Sequence, residues 1–298
     1  MVGTRHRGVA LVAVLWIVGL LALLAVTTLS VMRARTRDTA ALLESIRAAS
    51  LRDATVLEVA QRMTGPNPQD RLPVNGTPIA LQVLDAEVTV SLQIEGGRVD
   101  LNHADDALLS ALLIANGLSQ DTAADFLAKL RDWQDADEIP RRGGAETTDY
   151  HAAGLSYGPR NGPLETVDEI FQLLKVDHAA LECLLPALTI YSGGTAANFR
   201  FAGDQVKRAI YWADHREWSG HRWLDASAPV PLGSDEPYSG QVLRLEIAMP
   251  SIGAKAPAHE IVLRLTGDER MPALVMLDQL SPSRSVMPSN CAKAESVQ

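Results

Sequence analysis

Apolar residues form one unbroken block near the start of the chain. Val9–Met32 holds no charged residue over 24 positions. At 1.5 Å per residue, a helix of that length crosses a hydrocarbon core about 30 Å thick. Apolar residues then recur at helical spacing over Thr39–Met63, and Gly65-Pro66 ends the pattern. The pattern predicts one helix from Val9 to about Met63, with an anchor and a separate amphipathic helix as the alternative.

Beyond this helix, strand-like and helix-like patterns alternate. Ile79–Glu95 alternates in places between apolar and polar residues, and Gly96-Gly97 is a turn signal, which together predict the start of a meander. Helical patches with polar breaks fill Asn102 to about Leu188. From Gln241 the sequence returns to strand patterns: QVLRLEIAM, HEIVLRLTG and ALVMLDQ. This order predicts an α+β fold with a helical domain inserted into a small antiparallel sheet.

Acidic charge is concentrated in the helical region. The whole chain has a net charge of −9, with 47% hydrophobic and 21% charged residues. Between Asp100 and Ile190, sixteen acidic residues stand against six basic ones, a difference of −10. This balance disfavours a protein that binds nucleic-acid backbones. Two cysteines, Cys183 and Cys291, are too few for a disulfide scaffold, and whether they pair is open because Cys291 lies in a polar tail.

Eight residues precede the apolar block, and they read MVGTRHRG. A short basic leader that ends in glycine and runs directly into an apolar helix resembles the leader of type IV prepilins and pseudopilins. The resemblance implies that prepilin peptidase cuts between Gly8 and Val9 and that the apolar helix is retained. The fifth residue after this cut is Ala13. Most pilins carry there a glutamate that pairs with the N-terminal amine of a neighbouring subunit.

Several segments resemble the K-type minor pseudopilins of type II secretion systems (general secretion pathway protein K), a family that also lacks this glutamate. These segments are Val99–Asn102, Asp132–Asp137, Gly144–Glu146, Asp149-Tyr150, Asn161–Leu164, Val167–Ile170 and Thr189–Ser192. The resemblance implies a pseudopilin fold: a long transmembrane helix packed on a small antiparallel sheet, with an inserted helix-hairpin-helix or SAM-like domain. It also implies a function without catalysis, which is to cap the pseudopilus tip and help initiate its assembly for protein export.

The same resemblance implies the partners, the location and the domain limits. The partners would be other minor pseudopilins, the major pseudopilin filament and prepilin peptidase. The protein would cross the bacterial inner membrane once, with its C-terminal domain in the periplasm. The expected segments are the leader (1–8), the transmembrane and spine helix (9–64), the two parts of the β domain (65–101 and 191–280), the inserted helical domain (102–190) and a flexible tail (281–298).

A membrane-anchored DNA receptor is the main alternative. The segment VDLNHADDALLSALLIANGLSQDTAADFL also resembles a helix-hairpin-helix module, in which glycines let backbone N–H groups approach phosphates. Only Gly117 is present where a Gly-x-Gly is expected, and the second candidate hairpin, LLKVDHAALECLL, has no glycine. We therefore expect retained hairpin architecture without binding of nucleic acid. A third possibility, a generic anchored periplasmic domain, predicts no cut after Gly8.

An acidic loop is the candidate metal site. Five carboxylates flank a segment rich in proline and glycine: Asp132, Asp135, Asp137, Glu146 and Asp149. Calcium takes six to eight oxygen ligands, and the absence of histidine and cysteine favours a hard cation over zinc. The alternative is a solvated acidic loop, partly neutralised by Arg141 and Arg142. The family resemblance implies that the insert binds calcium, so calcium is the expected cofactor.

Overall fold

A computed structural model describes residues 6–215, 238, 240–249, 259–266 and 274–280. The chain divides into two compact units, residues 1–54 and 55–298. Helix α1 (His6–Thr64) contains the apolar block, has a mean hydropathy of 2.6 in its most apolar window, and is long enough to cross a membrane. The described large apolar side chains from Leu11 to Met32 are exposed in the first unit. A helix that is apolar on all sides is typical of a membrane span.

The last turns of α1 belong to the second unit and have one buried face. The buried apolar residues of this face are Val56, Val59, Ala60 and Met63. Their i, i+3, i+4, i+7 spacing places them on one side of the helix. The helix ends at Thr64, close to where Gly65-Pro66 predicts its end.

The second unit contains a five-stranded antiparallel sheet. The strands of the described residues are β1 (Ile79–Val83), β2 (Ala86–Ile94), β3 (Val99–Asp100), β4 (Leu188–Thr189), β5 (Val242–Ala248), β6 (His259–Leu265) and β7 (Leu274–Leu280). The sheet has the order β1-β2-β5-β6-β7, and β3 pairs with β4 in a separate parallel ladder. Val88, Val90, Leu92 and Ile94 of β2 are buried, as their alternation predicts. The α+β fold class is confirmed.

One turn in the sheet is missed by the sequence analysis. The segment Ile79–Glu95 forms two strands, not one, because the chain reverses at Leu84-Asp85 between β1 and β2. Asp85 is a common turn residue, but the first position of the turn is a leucine, where glycine or asparagine would be the usual signal. Leu84 takes a positive φ of 55° there.

The helical region has its own core. Its α-helices are α2 (Asp106–Ala115), α3 (Gln120–Gln134), α4 (Thr147–Ala152), α5 (His178–Leu184) and α6 (Asp204–His215). Helix α6 lies beyond residue 190, the predicted end of the helical domain, and its Val206, Ala209 and Ile210 are buried in the same core as α2. Trp212 packs against this core, whereas Trp218 and Trp223 lie outside the described residues.

Asp100 joins the two ends of the helical region. Its side chain is fully buried, and one carboxylate oxygen accepts hydrogen bonds from the backbone N–H groups of Asn102 (2.9 Å) and His103 (3.2 Å). The other oxygen accepts from the backbone N–H of Gly193 at 2.8 Å and from the Ser192 hydroxyl at 3.1 Å. Together with the β3–β4 ladder, these bonds hold the start and the end of the helical region side by side.

A buried ionic cluster lies beside the sheet. Glu95, which follows β2, is fully buried and forms ion pairs with Arg244 of β5 and Arg98. Arg244 also pairs with Glu260 of β6. Burial raises the pKa of Glu95, but the charges of Arg244 and Arg98 outweigh it, so the pKa lies below its usual range. The cluster therefore links two strands to the start of the helical region.

Cys183 is disulfide-bonded in α5. The chain contains one other cysteine, Cys291, which lies outside the described residues. The sequence left open whether Cys183 and Cys291 pair with each other.

Candidate metal centre

The acidic loop connects the end of α3 to the start of α4. Asp132 and the buried Trp133 lie in the last turn of α3, and Asp135 caps that helix. Tyr150 of α4 is fully buried, and its ring centre lies 6.0 Å from that of Trp133. This aromatic contact holds the two helix ends together, so the carboxylates between them occupy a fixed frame.

Three of the five predicted ligands come together. Asp135, Asp137 and Glu146 each offer a carboxylate oxygen, and these three oxygens lie within 4.8 Å of one another. Two ligands at 2.3–2.6 Å from one calcium ion can be at most about 5 Å apart. The separation therefore suits a shared calcium ion.

Glu146 is the least solvated member of this group. Its relative exposure is 1%, and neither carboxylate oxygen has a hydrogen-bond partner. Burial, followed by the negative charges of Asp132 and Asp135, raises the pKa of Glu146 to about 7. Ordinarily a buried carboxylate has hydrogen-bond or ionic partners. Glu146 has neither within the part of the chain that the structure describes.

Asp132 does not join the three-residue group. It is fully buried, and one of its oxygens accepts a hydrogen bond from Nη1 of Arg141 at 2.8 Å. The backbone N–H of Arg141 donates to the other oxygen at 3.1 Å. The same Nη1 also contacts Asp135 Oδ2, and the hydrogen bonds to Asp132 and Asp135 raise the pKa of Arg141. Arg141 thus neutralises part of the negative charge of the acidic loop, as the sequence suggested for Arg141 and Arg142.

Asp149 also stays outside the group. It is exposed, and its Oδ2 accepts a hydrogen bond from the backbone N–H of Glu146 at 2.9 Å. A carboxylate three residues after the N-cap commonly binds back to the N-cap N–H in this way. Asp149 therefore fixes the start of α4 and the backbone of Glu146.

The donor set fits calcium. It contains oxygen only, and besides both oxygens of Glu146, Oδ1 of Asp135 is buried without a hydrogen-bond partner. A bound calcium ion would supply positive charge to these oxygens and relieve the repulsion among them. Carboxylates, backbone carbonyls and water can complete a coordination of six to eight.

The sequence alone did not show how closely the loop packs. Gly144 lies so near Asp132 that a Cβ atom on it would be 1.9 Å from Oδ2 of Asp132. The only available signal was the paired glycine before Ala145 and Glu146, both of which are buried.

The predicted cleavage site, Gly8 and Val9, lies in the first turns of α1. It is far along the sequence from the acidic loop and involves no metal ligand. Its role as a cleavage site stays a prediction.

Comparisons with known proteins find similarity to one family. A family model described as type II secretion system (T2SS), protein K, matches residues 90–193. The type II secretion system protein K of Pectobacterium carotovorum subsp. carotovorum is 28% identical over 208 residues, and that of Klebsiella pneumoniae is 29% identical over 201 residues. These matches make the chain similar to protein K of type II secretion systems over residues 90–193.

The match to the protein K family includes α2 and α3, the segment that also resembles a DNA-binding hairpin. Each alignment with the two curated relatives covers 61% of this chain and 62% of the relative. The chain thus spans about three fifths of the length of these relatives.

A solved structure shares the fold. It is that of the GspK-GspI-GspJ complex from the type 2 secretion system of enterotoxigenic Escherichia coli. The TM-score is 0.57 at 14% sequence identity, over 83% of this chain and 98% of the matched chain. At this identity the likeness shows the fold alone.

Proposed function

We propose that this protein is a minor pseudopilin that caps the tip of a type II secretion pseudopilus and helps initiate its assembly. One observation carries the proposal: the match to protein K over residues 90–193 occurs in a chain whose apolar block directly follows a short basic segment ending in Gly8. The proposed place is the bacterial inner membrane, crossed once by α1, with the second unit in the periplasm. The proposed partners are other minor pseudopilins, in keeping with the GspK-GspI-GspJ complex of the matched structure, together with the major pseudopilin and prepilin peptidase.

Two features support a position at the tip. Ala13 cannot form the pair that a glutamate would make with the amine of a subunit ahead of it, and a tip subunit needs no such pair. The helical region is also a large addition to the sheet domain. It would be difficult to repeat in every subunit of a tightly packed shaft.

N-terminal sequencing of the membrane-extracted protein tests the leader. We expect the mature chain to begin at Val9 when prepilin peptidase is present and at Met1 when it is absent. A Gly8→Val variant is the control and should stay uncut. A wild-type chain that begins at Met1 in the presence of the peptidase, or beyond Met32, would refute the pseudopilin function.

Ala13→Glu tests the position in the filament. This variant should be cleaved and inserted like the wild type, with a defect in assembly alone. Gold labelling of isolated pseudopili should find the wild-type protein at filament ends. Labels repeated along the shaft would rule out a tip function.

We also propose that the acidic loop binds calcium through Asp135, Asp137 and Glu146. The unpartnered oxygens of Glu146 and Asp135 carry this proposal. In it, Asp149 holds the Glu146 backbone in place, and Asp132 anchors the loop through Arg141. Neutralising the three carboxylates would stabilise the segment between α3 and α4.

Thermal unfolding of the full chain in detergent tests calcium binding. Binding to the folded state alone adds about 2.7 kcal/mol at a calcium concentration one hundred times the Kd. The melting temperature should therefore be higher in millimolar calcium than in chelator, and the Asp135→Ala/Asp137→Ala double variant should lose the difference. The control variant Asp121→Ala/Asp168→Ala changes the charge equally at two exposed acidic residues and should keep it. Equal melting temperatures for the wild type, with no heat of binding, would leave only a solvated loop.

A further inference from the structure

Arg141 contacts a carboxylate, Asp135, that a bound metal ion would also contact. Its Nη1 lies between two carboxylates, bonded to Asp132 at 2.8 Å and in contact with Oδ2 of Asp135. Asp135 is also one of the three residues whose oxygens converge. The side chain of Asp135, the C-cap residue of α3, is therefore shared between the guanidinium and the candidate calcium centre.

Asp132 and Asp135 differ in how far their hydrogen bonds depend on the Arg141 guanidinium. Asp132 is fully buried and keeps a second bond, from the Arg141 backbone N–H, whatever the guanidinium does. Asp135 is only partly buried, and its Oδ1 has no hydrogen-bond partner. The bond to Asp135 is thus the one that can be exchanged at low cost.

The Arg141 side chain can move away from Asp135 without disturbing the loop. Its side chain is 48% exposed, so the guanidinium can move into solvent. Its backbone is fixed separately, since the N–H of Gly144 donates to the Arg141 carbonyl at 2.8 Å and closes a turn. The side chain can therefore swing away while the loop keeps its shape.

We propose that Arg141 is a tethered cation that competes with calcium for Asp135, an inference that rests on the proposed calcium site. Without calcium, the guanidinium neutralises Asp132 and Asp135 and keeps the loop folded. When calcium binds, Asp135 turns from the guanidinium to the metal ion. Arg141 accordingly lowers the affinity for calcium and reduces the dependence of folding on it.

This competition raises the calcium concentration at which the site fills. A cluster of carboxylates without an internal cation would bind calcium tightly and unfold without it. A cluster that carries its own cation can stay folded when empty and fill only at higher calcium.

The test compares Arg141→Gln with Arg142→Gln in the full chain in detergent. Both variants remove one positive charge at neighbouring positions, but Arg142 is exposed and makes no ion pair with any residue that the structure describes. Two quantities are measured: the calcium Kd by titration calorimetry and the melting temperature in chelator. A third variant, Arg141→Lys, keeps the charge.

For Arg141→Gln we expect a calcium Kd about tenfold lower than that of Arg142→Gln, as the loss of one charge-assisted competitor allows. Its melting temperature in chelator should fall by several degrees and should recover in saturating calcium. Arg142→Gln should match the wild type in both measurements, and Arg141→Lys should lie nearer the wild type than Arg141→Gln.

Three results would overturn the inference in different ways. If Arg141→Gln binds calcium no more tightly than Arg142→Gln, Arg141 does not compete. If its melting temperature in chelator is unchanged, Arg141 does not stabilise the empty loop. If neither the wild type nor Arg141→Gln binds calcium while the latter still melts early, Arg141 is a structural residue and the calcium site itself is refuted.

Discussion

Gly144 is the residue at which the acidic loop tolerates least change. A Cβ atom there would lie 1.9 Å from Oδ2 of Asp132, a carboxylate that is buried and bonded twice to Arg141. Gly144→Ala should therefore lower the free energy of unfolding by about 1–3 kcal/mol, the usual cost of forcing atoms into a packed site. Chemical denaturation of the full chain in detergent measures it.

Gly162→Ala is the matched control for this substitution. The nearest atom to its added Cβ would be Cγ of Arg160 at 3.9 Å, an ordinary contact. Its stability should change by less than about 0.5 kcal/mol. Equal losses in the two variants would show that Asp132 is free to move.

Leu84 combines a strained backbone with an exposed side chain. Its φ is 55°, and it is 75% exposed in the turn between β1 and β2. Leu84→Gly should raise the free energy of unfolding by about 0.5–1 kcal/mol, because glycine adopts a positive φ without steric cost. Leu84→Ala removes the same apolar surface but keeps a Cβ, so it should not give this gain. A gain in both variants would trace the effect to exposure and not to backbone strain.

At the residue scale, the sequence identified the acidic residues of the loop but not which of them converge. All five carboxylates were identified, but only Asp135, Asp137 and Glu146 converge. The position of Asp149 three residues after Glu146 is a local capping pattern that could have been read in the sequence. The pairing of Asp132 with Arg141 depends on how the loop folds back on α3, which spacing alone does not show.

Among the elements, the strands β2, β5 and β6 are linked by the Glu95, Arg244 and Glu260 ion pairs. The lowered pKa of Glu95 means that its carboxylate stabilises the fold above the usual range of about 4.5. This contribution is lost as the pH falls through the lower pKa of the folded state. We therefore expect the melting temperature to decrease steeply below about pH 4.5.

Glu95→Gln should remove part of that dependence on pH. At pH 7 it should also cost about 3 kcal/mol, because Arg244 and Arg98 would lose a buried partner. Glu87→Gln, an exposed position on β2, is the control and should leave the melting profile unchanged. A Glu95→Gln profile that falls with acid as steeply as the wild type would assign the acid sensitivity to other groups.

The elements differ in how well the sequence predicts them. Strands β5 to β7 lie where the sequence patterns and flanking turns predicted them, and β5 shows the alternating burial of a strand with one buried face. The β1–β2 turn was missed because Leu84-Asp85 is an atypical turn pair. Helix α6 was missed because its role depends on packing against α2, which lies about ninety residues earlier in the chain.

For the molecule as a whole, the disulfide of Cys183 is the covalent link to test. We expect an intrachain bond to Cys291, the other cysteine of the chain. A bond across such a long loop typically contributes about 2–5 kcal/mol. Cys183→Ser should therefore lower the melting temperature, and reducing agent should lower that of the wild type to the same value. Peptide mass spectrometry without reduction identifies the linked pair, and a dimer linked between chains would contradict the expectation.

The meander of the sheet has a consequence for the order of folding. Strands β2 and β5 are neighbours, with Ile94 opposite Leu243, yet residues 95–241 separate them in the chain. A chain that is being synthesised therefore has one unpaired edge of β2 until the residues of β5 have emerged. Once the helical region has folded, the β3–β4 ladder and Asp100 hold Val99 next to Leu188. Most of the loop between β2 and β5 is then already closed, which favours the pairing of these two strands. We therefore expect the folded helical region to speed the pairing of β2 with β5.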